Sequence, residues 1–174
     1  MVLRRVLVVA AAACLVGTTG VATAQADPQG GFTYSSEAGA HAFVGSASWD
    51  ADQLSVWEYD GAVKVDADGG WDWARLELSA PAGQELHVGT YTGARFRGQT
   101  EPQLTTAGFA AFRGTQADGT QACDDVAGDA TADFTVADLA RAADGTLTDL
   151  DTTFVLHCSG PAGPATTGEA HFHG

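Results

Sequence analysis

From Phe32 to the C-terminus the chain is a succession of short segments in which apolar and polar residues alternate, each cut off by glycine, aspartate or proline before a helical period develops. A period of two puts successive side chains on opposite faces of a strand, so such a chain buries its apolar face only by laying strands side by side. The expected strands are 32–37, 41–49, 53–59, 62–67, 71–79, 89–97, 108–114, 132–139, 147–158 and 167–173, and only 136–143 offers room for a helical turn. Asp60-Gly61 between two alternating runs is a strong hairpin signal, and Asp68-Gly69-Gly70, Pro81-Ala82-Gly83 and Asp144-Gly145 supply further turns. The pattern predicts an all-β, single-domain antiparallel β-sandwich, or a barrel-like relative of one.

The first 26 residues follow a different rule. Arg4 and Arg5 precede an apolar run from Val6 to Val16, and small residues end at Ala24-Gln25-Ala26. This is the layout of a secretory signal peptide, with cleavage expected after Ala26. The apolar run is shorter than the roughly 20 residues a membrane anchor needs, so no stable anchor is expected. The arginine pair alone does not make a twin-arginine signal, and Cys14 lacks the leucine that precedes a lipid-modified cysteine. It reads as part of the signal helix. The expected product is one secreted domain, 27–174, large enough to bury about 68–70% of its unfolded surface without a metal.

Export also sharpens the charge and the cysteines. Six of the eight basic residues and all 22 acids remain, a formal charge of −16. Such a field repels nucleic acid and anionic membranes and keeps an exported monomer soluble. Cys123 and Cys158 are the two cysteines left, and in an oxidising compartment they are expected to pair. Closing that loop contributes up to ~4 kcal/mol by the loop-entropy argument. The alternative is a reactive or metal-bound thiol pair, although the spacing is not of the CxxC type.

The hairpin at Asp60-Gly61 sorts the best candidate surface. It places Tyr59 opposite Ala62, Trp57 opposite Lys64 and Ser55 opposite Asp66, with Val56, Val63 and Val65 on the other face. In the next segment Ala74, Leu76 and Leu78 alternate with Trp71, Trp73, Arg75 and Glu77. The aliphatic face has the stronger claim on the core. Trp57, Tyr59, Lys64, Trp71, Trp73 and Arg75 then form an outward face suited to stacking on sugar rings or gripping a protein. The competing reading has these rings fill space beneath a loop.

Two metal readings compete with it. Pairing Cys158 with Thr166 sets Asp151 opposite His173 and Thr153 opposite His171, so that His171, His173 and Asp151 could hold zinc or copper. Asp66, Asp68 and Glu77 match an EF-hand count at three positions, but Trp71 stands where the loop needs glycine. Asp124, Asp125 and Asp129 beside Cys123 form a better calcium candidate in a loop. There is no GxSxG elbow, HExxH or phosphate loop, so neither an enzyme nor a cofactor is expected.

Gly89-Thr90-Tyr91 leading to Ala94-Arg95-Phe96, Cys123 followed by Phe134-Thr135-Val136, Phe154 before Cys158, and Gly168 in the last strand share an order of features. In that order, together with the segment from Trp71 to Pro81, the chain resembles an uncharacterised group of bacterial, chiefly actinobacterial, secreted domains. The resemblance covers roughly 71–172. It implies a disulfide-linked β-sandwich and no particular activity.

Overall fold

The computed structural model describes residues 30–97, 105–117, 119–123 and 129–174. The expected signal peptide, Asp124 and Asp125 lie outside the described residues. Among the described residues eleven strands follow one another: β1 (Gly31–Ser36), β2 (Ser46–Asp50), β3 (Leu54–Tyr59), β4 (Ala62–Asp68), β5 (Asp72–Ser79), β6 (Gly89–Phe96), β7 (Gly108–Thr115), β8 (Gly119–Ala122), β9 (Thr131–Arg141), β10 (Leu147–His157) and β11 (Thr166–His173).

All belong to one sheet in the order β2-β1-β11-β10-β9-β6-β7-β5-β4-β3, with β8 added beside β7. Every pairing is antiparallel except that of β6 with β7. The two ends of this order, β2 and β3, are consecutive in the chain and joined only by a 3-10 turn, Ala51–Gln53. Gln53 Oε1 accepts from the Asp50 backbone N–H at 3.0 Å and so fixes the corner. The sheet thus curls until its edges meet at one short connection, and the barrel-like form is the one realised.

Alternation explains what fills the barrel. Val63, Val65 and Ala67 of β4 and Ala74, Leu76 and Leu78 of β5 are all buried and join Phe109, Phe134, Val136, Leu150, Phe154 and Leu156 in one core. Phe32 packs at 5.7 Å from both Phe154 and Trp49. Phe154 also lies flat against the backbone of its partner, since a Cβ on Gly168 would stand 2.3 Å from its ring. β11, between β1 and β10, therefore needs glycine at that point.

Three local expectations change. Segment 41–49 is a strand only from Ser46; before it, Ala42 takes φ 66° and Gly45 φ 74°, which turns the chain across one end of the barrel. The segment 136–143 holds no helical turn, because β9 continues to Arg141 in register with Leu147. The β10–β11 register is shifted by two: Leu156 faces Thr166, and eight residues, 158–165, connect the two strands. Cys158 is drawn out of the ladder into the disulfide with Cys123, and His157 Nδ1, at the end of β10, meets the Gly163 carbonyl of that loop at 2.9 Å. A shift of two leaves every side chain on its expected face.

Candidate functional site

The outer face of β3, β4 and β5 forms as the hairpin dictates. Asp60 and Gly61 both adopt left-handed φ, 54° and 69°, the requirement of a type I′ turn. Tyr59 faces Ala62, Trp57 faces Lys64 and Ser55 faces Asp66, and the rows continue onto β5 through Ser79, Glu77 and Arg75. Asp68 faces Trp73 in the next row. From the Ser79 row to the Trp73 row is six residues, so the face is ~20 Å long at ~3.4 Å per residue.

Its charges pair among themselves. Lys64 Nζ lies 2.9 Å from Glu77 Oε1, and Arg75 Nη2 lies 2.7 Å from Asp66 Oδ2. Each cation also sits over a ring, Lys64 over Tyr59 at 5.5 Å and Arg75 over Trp57 at 5.7 Å. Asp66 and Glu77 are therefore partners in strand ion pairs, not members of a calcium loop. Trp73 is half-buried because its indole lies across Gly114 of β7, where a Cβ would stand 2.4 Å from the ring. Trp57 is half-buried beneath Arg75, whereas Tyr59 is 68% exposed and Trp71, just before β5, is 75% exposed.

Beyond Tyr59 the face runs into a cleft of about 380 Å³ at the end of the barrel where β3 turns into β4. Glu58, Asp60, Gln84, Glu85 and Arg141 line it. Arg141 Nε donates to Glu58 Oε2 at 2.9 Å while its Nη2 reaches Oε1, a two-point clamp between β9 and β3. That carboxylate raises the guanidinium above its already high pKa. Arg97 holds the turn from the other side through the Asp60 carboxylate, at 3.0 Å, and the Asp60 carbonyl. Among the described residues Glu85 forms no ion pair, and it acts on Arg141 through space. Sequence reading missed this cleft, because Arg141 and Glu58 are far apart in the chain and neither carries a motif.

The histidine pair occupies the outer face of β10 and β11. His171 faces Asp151 and His173 faces Asp149, two residues from the expected partners. His171 Nδ1 is 2.9 Å from Asp151 Oδ1 and its Nε2 is 3.6 Å from Glu169 Oε2, while His173 Nδ1 is 3.2 Å from Asp149 and its Nε2 is 3.8 Å from Asp151. The four ring nitrogens are shared among three carboxylates, Asp151 lying between the two rings. Among the described residues no group of three or more His, Cys, Asp or Glu is arranged to hold a metal ion. The hydrogen bond from His173 holds the Asp149 carboxyl below its usual range. Asp129, the described member of the expected calcium cluster, is exposed.

No family model matches the chain, and neither does any curated protein or solved structure.

Proposed function

We propose that this chain is an exported, non-catalytic module that binds a glycan along the outer face of β3, β4 and β5. The observation that carries the reading is the pairing of Lys64 with Glu77 and of Arg75 with Asp66 between aromatic rings. A sugar offers a flat apolar face and a rim of hydroxyls. It calls for exposed rings together with donors and acceptors fixed in the plane of the sheet, and it gains nothing from net charge. Internal pairing provides this in a chain whose overall charge is strongly negative. The cleft beyond Tyr59, with the Gln84 amide and the Glu85 carboxylate, adds hydroxyl-binding groups at one end.

Export is supported by Arg4 and Arg5 before the apolar run, by Ala24-Gln25-Ala26, and by a disulfide that suits an oxidising compartment. A glycan array comparing the wild type with Tyr59→Ala/Trp71→Ala tests the binding reading. Both rings are largely exposed, so the double variant keeps its fold and should lose binding at least tenfold. Undiminished binding by the folded double variant rejects this face, and capture of proteins but no glycan in a parallel pull-down rejects the ligand class.

A further inference from the structure

At the opposite end of the barrel from the Tyr59 cleft, the core ends in aromatic and charged side chains that the glycan face does not use. Tyr34 packs edge-on against Phe43 at 4.8 Å and beside Trp49 at 6.1 Å. The Arg113 guanidinium lies 5.7 Å over the Tyr34 ring, and burial pushes the Tyr34 phenol up while Arg113 pulls against it. Arg113 faces Ala74 on β5, so it stands on the inner side of β7, with Thr115 the next residue of that row toward the opening. Above it lies a cavity of about 340 Å³, walled by Ala42 and Val44 on one side and by Thr115, Gly119 and Gln121 on the other.

We infer that this barrel mouth binds a compact carboxylate with a short apolar tail, the carboxylate on Arg113 and the tail against Ala42 and Val44. Three independent features meet there. First, Arg113 spends little of its hydrogen-bonding capacity within the protein. Its Nε is buried with no hydrogen-bond partner, its ion pair with Asp72 is long at 3.4 Å, and its other side-chain partner is the Tyr34 hydroxyl. Arg141 by comparison uses both Nε and Nη2 on Glu58. A planar guanidinium with free donors is the group that receives a carboxylate through two parallel bonds. Second, in a chain with 22 acids, none of the described residues lining the cavity is acidic, and its remaining polar side chains are Thr115 and Gln121. Third, the opposite wall is apolar and expensive to hold: Ala42 keeps φ 66°, a conformation that L residues rarely adopt, and Val44 is left 63% exposed. The cavity is at the small end of the range for ligand sites, which suits a small ligand.

Butyrate and its uncharged isostere butyramide test the site by NMR titration of the full exported domain. Butyrate should shift the backbone amides of Val44, Gly114, Thr115 and Gly119 to saturation, and butyramide should bind at least tenfold more weakly. Arg113→Gln should weaken butyrate at least tenfold. Val44→Asp, on a side chain already exposed and therefore compatible with folding, should weaken it at least fivefold by placing a carboxylate on the wall. Equal binding of the two probes, no saturable shift at these amides, or unchanged butyrate affinity in the folded Val44→Asp protein overturns the proposal. Because Tyr59 stands at the other end of the barrel, Tyr59→Ala should leave butyrate binding intact; its loss in that variant also overturns the separation of the two sites.

Discussion

Replacing Gly114 by alanine measures how firmly the outer face is built. The new Cβ would stand 2.4 Å from Trp73 Cε2 and 2.5 Å from its Nε1, inside any permitted contact distance. The Gly114 backbone itself is not left-handed, so alanine meets a clash and no torsional strain. Forcing a ring from its bed costs ~1–3 kcal/mol, offset by ~0.5–1 kcal/mol for replacing a strand glycine. The expected net loss is about 1–2 kcal/mol, or a Tm lowered by ~2–8 °C at about 2–4 °C per kcal/mol for a chain of this size. In a Trp73→Ala background the clash is gone, and Gly114→Ala should be neutral or stabilising by up to ~1 kcal/mol. Urea unfolding of the four proteins yields the coupling directly. A cycle with no coupling, or an unchanged Tm in the single Gly114→Ala variant, refutes the claim that Trp73 is seated on that glycine.

Other perturbations follow from the core, the disulfide and the acids. Phe154→Ala, removing a ring buried between Phe32 and Gly168, should cost ~3–5 kcal/mol in urea unfolding. Cys123→Ala/Cys158→Ala should lower stability by up to ~4 kcal/mol, and reducing agent should then have no further effect on the variant. The Asp149 carboxyl is held below the usual 3.8 by the hydrogen bond from His173. Its contribution is complete above the unfolded value and is lost as pH falls through the lower folded value. Acid titration of unfolding should show that loss in the wild type and a shallower slope in Asp149→Asn.

The parts of this fold that a reader of the sequence can place are those fixed by short-range geometry. The Asp60-Gly61 turn leaves no freedom in loop length, and every pair across β3 and β4 follows from it. The β10–β11 hairpin has no such constraint. Its loop length is set by where Cys158 must go to meet Cys123, and the partners of His171 and His173 moved with it. β8, Gly119–Ala122, carries no alternation and is a strand only because β7 offers it an edge. The mouth cavity depends on Ala42 leaving the strand conformation and on Arg113 meeting Tyr34 from a distant segment, and neither is marked by a motif. The Tyr59 cleft likewise arises from barrel closure, which brings Arg141 to Glu58.

The four tryptophans provide the most direct test of the glycan face, since Trp49 is buried in the core and Trp57, Trp71 and Trp73 lie on or beside the outer surface of β3 to β5. In a titration of the nitrogen-15-labelled domain with a glycan selected on the array, the indole N–H signals of Trp57, Trp71 and Trp73 should shift with one shared affinity while that of Trp49 stays in place. A bound glycan that leaves those three signals unmoved, or that moves Trp49 as far as the others, contradicts the account.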